Sequence, residues 1–283
     1  MSSICILTDN SAQFPRPSFP GMEVINVIDH RVSLNGEIYD NGKLKAHDLP
    51  KIATKSLHPM LIPPTVQDFQ KVFVQLGQSY NVILGVFISS SLNDCFKNAK
   101  LAADSLHNSV SIQLIDSQTT SIGLGLLVQM IAEAIHDGAS SGEVDRMARN
   151  MIKHTYSVVS VPGLSYLESN GFVDFTQAAI TEMLDLFPLF SFEDGVLTPL
   201  EKVKSHRQTT LFFQEFIDEF LDLQHIALLQ SSPPNQQEAR MLRDFVQESF
   251  PDTPFSEHAF NLPLATLFGP NSMGLIVVES NYS

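Results

Sequence analysis

The sequence predicts an α/β protein of two domains, and three observations carry that prediction. Apolar runs short enough to be strands alternate with segments whose apolar residues recur every three or four positions. Three of the runs, over 4–9, 82–88 and from Val110, empty into small polar residues: Thr8-Asp9-Asn10-Ser11-Ala12, Ser89-Ser90-Ser91-Leu92-Asn93 and Asp116-Ser117-Gln118. Buried strands that deliver hydroxyls and carboxylates to their C-terminal ends are the pattern of an open parallel sheet, whose carboxyl edge binds ligands. Finally, 283 residues exceed one average core. The reading is a parallel α/β domain over 1–155 and a second α/β domain with a mixed sheet over 156–283.

The elements follow in order. After the first strand, Phe14-Pro15-Arg16-Pro17 breaks the chain, and residues 22–28 read as a second strand. Residues 31–40 read as a hairpin, because Asn35-Gly36 tolerates the positive φ of a tight turn. A short helix is expected over 49–54. Pro59, Pro63 and Pro64 then enforce an extended loop. Val66, Phe69, Val72, Phe73 and Leu76 share one helix face, which predicts a helix over 65–80 with Thr65 at its N-cap. Similar helices are expected over 92–106 and 123–137, and a surface helix over 142–155 ends the first domain.

In the second half, 156–161 is a strand, Leu164-Ser165-Tyr166-Leu167 starts a turn and 175–184 is helical. Residues 186–203 form a hairpin about Glu193-Asp194-Gly195. Helix 209–221, strand 225–230, helix 235–250 and strands 256–261 and 273–279 complete the chain. Strands joined partly by hairpins require a mixed sheet.

Composition excludes several classes of function. Hydrophobic residues at 43% and charged residues at 17% describe a well-buried globular chain. A net charge of -14 repels nucleic acid and anionic membranes over most of the surface. The local cluster Lys202, Lys204, His206 and Arg207 reads as a solvated face or as a contact for an anionic partner. No basic n-region precedes the first strand, and the longest uncharged apolar stretch, 121–132, is too short to span a bilayer. Two cysteines exclude a disulfide framework, so a cytoplasmic location is expected.

Signals of catalysis are weak. Asp9 and Asp116 stand at strand ends where an acid–base pair could work, but Asx turns that accept backbone N–H groups explain them more simply. No nucleophile elbow or phosphate loop occurs. The nine histidines, His107 among them, are scattered without metal-ligand spacing, so neither metal nor cofactor is expected. Ser89-Ser90-Ser91, between a strand and a helix, could hold an anion or a carbonyl through hydroxyls and helix N–H groups.

A series of motifs in order resembles the DegV family over nearly the whole chain. Thr8-Asp9-Asn10-Ser11-Ala12 is similar to its T-D-S-[TA], Tyr39-Asp40 falls at Y-x-D, and Ile88-Ser89-Ser90-Ser91-Leu92 resembles I-S-S-x-L-S-G-T. Ile115-Asp116-Ser117 with Gly123-Leu124-Gly125, Pro188 with Asp194-Gly195, and Gly269-Pro270 with Gly274 continue the series. The resemblance implies two α/β domains with a long-chain fatty acid or related acyl lipid in a cleft between them. It also implies a carrier, not an enzyme, that presents its lipid to a separate bacterial fatty acid kinase.

The departures are specific. Where the family has P-T-T-S-Q-P-S, this chain has Pro59-Met60-Leu61-Ile62-Pro63-Pro64-Thr65, and Leu267 stands for the His before Gly-Pro-Gly. Asn93-Asp94-Cys95 replace S-G-T, and Asn170-Gly171-Phe172-Val173 replace G-G-R-I. The ligand contacts implied are Thr65, Ser89, Ser90, Ser91, Leu61, Ile62, Thr266, Leu267 and Phe268. Apolar head-group positions predict better tolerance of a neutral head than is usual. Two rivals stay open: an enzyme acting on a small acyl or phosphoryl compound at Asp9, Ser11, Asp116 and Ser89 to Ser91, and an interaction protein with a filled pocket.

Overall fold

The computed structural model describes residues 3–54, 56–106, 111–231 and 233–280. Strand β1 (Ile4–Asp9) is buried throughout, as a strand covered on both faces must be. The strand expected over 22–28 divides into a 3₁₀ turn at Met22–Val24 and β2 (Ile25–Ile28). β3 (Arg31–Leu34) and β4 (Glu37–Tyr39) make the expected hairpin, with Asn35 and Gly36 at φ 55° and 79°.

The helix expected over 49–54 does not form. A 3₁₀ turn covers Ala46–Asp48 instead, and Leu49 is extended at ψ 147° because Pro50 follows it. The proline-rich stretch is not all loop either. β5 (Met60–Ile62) is an edge strand of the β4-β3-β5 sheet, the position where flanking prolines are tolerated.

Helix α1 (Val66–Leu76) has Thr65 as its N-cap in a reciprocal capping box with Asp68. β6 (Val82–Phe87) leads to α2 (Cys95–Ser105), which begins later than expected because Asn93 Oδ1 accepts the Cys95 N–H and holds the preceding residues in a turn. β7 (Ser111–Asp116) follows. The expected strand start at Val110, and His107 among the scattered histidines, lie outside the described residues. Helices α3 (Ser121–His136) and α4 (Ser141–Lys153) come next.

Beyond these lie β8 (Thr155–Ser160), α5 (Ser165–Ser169), α6 (Phe175–Met183), β9 (Phe187–Glu193), β10 (Val196–Val203), α7 (His206–Asp218) and β11 (Leu223–Gln230). Then come α8 (Gln236–Ser249), β12 (Phe255–Ala259), α9 (Leu262–Phe268) and β13 (Met273–Glu279). Two helices depart from expectation. α5 stands where a turn was expected, and α9 was not expected because residues 263–268 are all buried and show no polar face. Its local signal is the Asn261 cap, whose Oδ1 accepts from Leu264 N, with proline in the first turn.

The chain divides into two compact units that interleave in sequence. The first comprises Met1–Arg31, Ile62–Lys153 and Asp194–Val196, and the second Val32–Leu61, His154–Glu193 and Leu197–Ser283. The first holds the all-parallel sheet β2-β1-β6-β7. α3 packs on β1 and β6, and α2 on β6 and β7. α3 lies so close to the loop after β1 that a Cβ at Gly125 would fall 1.8 Å from the Gln13 carbonyl oxygen. Strand order reverses between β1 and β6, the switch point where such sheets bind ligands.

The second unit holds the mixed sheet β10-β9-β8-β13-β11-β12, in which β11 pairs β12 parallel and β13 antiparallel. Leu228 and Leu275 join Phe213 and Ile217 of α7 and Leu242 and Val246 of α8 in one core.

Candidate functional site

At the switch point of the first unit, the carboxylates fasten loops. Buried Asp9 accepts the Ser11 N–H at Oδ1 (2.9 Å) and the Ile88 N–H at Oδ2 (2.7 Å), so one side chain ties the ends of β1 and β6. Asp116 Oδ1 accepts the N–H groups of Ser90 (3.2 Å) and Gln118 (3.1 Å). These are the Asx-type roles expected of them.

The serines beside them differ in what their hydroxyls do. Ser89 Oγ donates to the Gly195 carbonyl at 2.8 Å, and Ser91 Oγ donates to the same oxygen. The Leu92 N–H closes the turn onto the Ser89 carbonyl at 3.0 Å. Ser90 is exposed, and its hydroxyl has no hydrogen-bond partner among the described residues.

A second network fills the space between the ends of β1, β2 and β6. His30 is buried, with Nδ1 3.1 Å from Asn10 Oδ1 and 3.6 Å from Asp9 Oδ1, and Nε2 3.0 Å from Asn93 Nδ2. Cys95 lies buried at the start of α2, and burial, reinforced by the charge of Asp9, drives its thiol well above the ordinary range. Burial likewise pushes the Cys5 thiol up to about 11. Neither is a nucleophile at neutral pH.

Ile62, Thr65 and Ser89 to Ser91 lie in the first unit, and Leu61, Thr266, Leu267 and Phe268 in the second. Two hydroxyls proposed for the ligand already have partners: Thr65 Oγ1 donates to Asp68 Oδ2 at 2.7 Å, and Thr266 Oγ1 to the Leu262 carbonyl at 2.8 Å. Thr266, Leu267 and Phe268 are buried in α9, Leu61 is buried in β5, and Ile62 is half-buried.

The second unit contains a cavity of about 580 Å³ beside α6 and the β9–β10 hairpin. Phe172, Val173, Ile180, Phe190, Leu197 and Leu200 supply its apolar wall, and Gln177, Thr181, Glu201 and Lys202 are the polar groups around it. Its size falls within the range of small-molecule sites. Of these residues the sequence singled out Phe172 and Val173 in the departure from G-G-R-I, and Lys202 in the basic cluster. Leu197 and Leu200 carried no signal, because a half-buried or exposed apolar residue on an edge strand looks the same whether it lines a cavity or faces water.

A family model described as an uncharacterised protein of the DegV family matches residues 3–280. The chain belongs to the DegV family. Protein DegV of Bacillus subtilis is 23% identical over 279 residues, which are 96% of this chain and 98% of that protein. A fatty acid binding DegV family protein of Streptococcus agalactiae superposes with a TM-score of 0.86 at 21% identity, over 99% of this chain and 100% of that one. The Fatty Acid Kinase (Fak) B3 protein of Streptococcus pneumoniae, loaded with linoleic acid, superposes at 0.81 and 16% identity over 99% and 100%. The fold described above is therefore the DegV fold. No helix among the described residues is long and apolar enough to cross a membrane.

Proposed function

We propose that this chain is a carrier of long-chain fatty acids without turnover of its own. The observation that carries the reading is the apolar cavity of the second unit, supported by DegV relatives described as fatty acid binding. Burying about fourteen methylenes at ~0.8 kcal/mol each is on the order of 11 kcal/mol gross, before association costs of several kcal/mol. Hydrogen bonds to a charged head contribute only about 1.5–3 kcal/mol apiece, so the tail carries affinity and the head sets selectivity.

For the head, the serine turn remains our assignment, with Ser90 as its uncommitted hydroxyl. By likeness to the Streptococcus pneumoniae protein, the partner is a separate fatty acid kinase. The commitment of Asp9 and Asp116 to backbone N–H groups favours a carrier over the rival enzyme.

Lipid extraction of the purified protein, followed by titration with a fluorescent long-chain fatty acid, tests the reading. Co-purified acyl lipid is expected, and Val173→Trp should weaken binding about tenfold or more by filling the cavity. An unchanged affinity in that variant would remove the cavity from the function.

A further inference from the structure

The hydrogen bonds around His30 determine its protonation. Asn10 Nδ2 donates to the His30 carbonyl, so the oxygen of that amide is the atom facing the ring and also accepts the His30 backbone N–H at 3.0 Å. An oxygen 3.1 Å from Nδ1 requires a proton on Nδ1. On the other side, Asn93 Oδ1 accepts the Cys95 N–H at 2.9 Å, which fixes Nδ2 as the atom meeting Nε2. A donor there requires Nε2 to be bare. His30 is therefore the neutral Nδ1–H tautomer, held from both sides by amides that cannot flip without losing a backbone bond.

We propose that His30 is the positioning residue of the switch-point turn: in its neutral form it holds Asn93, and with it residues 89–95, in the shape that receives the ligand head, and a second proton on the ring releases that turn. The proposal rests on the fatty-acid reading and on assigning the head to the serine turn. Its mechanism is a clash of donors. Protonated Nε2–H would face the Asn93 amide hydrogens, and turning that amide to accept it would abandon the Cys95 N–H that starts α2.

The charged groups acting on the ring are Asp9 at the end of β1, with Oδ1 3.6 Å from Nδ1, and Asp29, its neighbour in the chain. Burial lowers the His30 pKa below the ordinary histidine value, and Asp9 and then Asp29 oppose it. A hydrogen bond at Nε2 usually favours the cation, but the atom supplied here is a donor, so it reinforces burial. Cys95 stays uncharged across this range.

Imidazole ¹⁵N shifts and the backbone amides of Ser90, Asn93 and Cys95, followed from about pH 8 to about pH 5, read the device directly. We expect the Nδ1–H tautomer, and amides that move with the His30 titration. Affinity for a fluorescent long-chain fatty acid should fall about tenfold across that titration, because the bound form holds the turn that the second proton releases. His30→Gln, which can donate and accept but cannot titrate, should flatten the fall relative to wild type; comparing the two proteins at each pH cancels the titration of the fatty acid itself. Asn93→Asp supplies an acceptor at Nε2 and should raise the His30 pKa.

An Nε2–H tautomer, amides indifferent to the titration, or a wild-type pH profile in His30→Gln would overturn the proposal. Coupled amide shifts in a protein that binds no fatty acid at any pH would sink the fatty-acid reading, and with it the binding half of this one, while identifying His30 as the anchor of the turn.

Discussion

The Ser89 hydroxyl and the Gly195 carbonyl, 106 residues apart in the chain, share a hydrogen bond of 2.8 Å. The contact requires glycine, because Gly195 sits at φ 80° and a Cβ there would lie 2.7 Å from Ser89 Oγ and 3.1 Å from Gln118 Cα. Gly195→Ala should therefore destabilise the protein by about 1–3 kcal/mol through left-handed strain and lost packing. Urea denaturation measures it, and a loss below about 0.5 kcal/mol would mean that the tip relaxes freely.

Neighbouring serines should behave differently when truncated. Ser91→Ala removes a bond to the Gly195 carbonyl and should lower stability by about 1 kcal/mol. Ser90→Ala should leave stability within about 0.5 kcal/mol of wild type, yet weaken fatty-acid binding by about 0.5–1.5 kcal/mol. The opposite pattern would take Ser90 out of the head-group site.

Tyr166 of α5 donates its hydroxyl to the Pro50 carbonyl at 2.5 Å, a contact within the second unit. Burial drives its phenol pKa far up, so the donor persists into alkaline solution. Tyr166→Phe should cost about 1 kcal/mol at neutral pH and the same near pH 10, as measured by thermal or urea unfolding. A cost that vanished by pH 10 would show that the phenol ionises normally.

Stability should decline on mild acidification. Burial lowers the pKa of both His206 and His258, against the nearby charges of Glu238 and Glu257. A lowered folded pKa means that the unfolded chain takes up protons first, as pH falls through its ordinary histidine value of about 6.5, and stability drops until the folded protein titrates too. Urea midpoints between pH 7.5 and pH 5.5 check the sign, and His206→Gln should reduce the slope. A slope unchanged in that variant would assign the effect elsewhere.

Local signals made much of the fold legible. Thr65 caps α1, Asn35-Gly36 turns its hairpin, and the three polar strand ends mark the edge of the parallel sheet. Errors arose where local chemistry competed with periodicity. Pro50 forced Leu49 extended and abolished a helix, and α9 was invisible because burial on every side erases the polar face that periodicity needs.

The candidate site was legible in part. The roles of Asp9 and Asp116 followed from their position, but the partners of Ser89 and His30 could not, since those bonds join residues 106 and 63 positions apart. His30 looked like one of nine scattered histidines until Asn10 and Asn93 were seen on either side of it.

The interleaving of the two units also bears on how the chain is made. During synthesis the parallel sheet can close once β7 has emerged, but the carbonyl that receives Ser89 and Ser91 arrives only with Gly195, after α6 and β9 have left the ribosome. A nascent first unit thus waits about eighty residues for its last contact, several seconds at ordinary elongation rates. A fragment ending near residue 155 would keep every strand of that sheet and still lack the acceptor for two hydroxyls. Cutting the gene at the apparent domain boundary would not yield a first unit equivalent to the one in the whole protein.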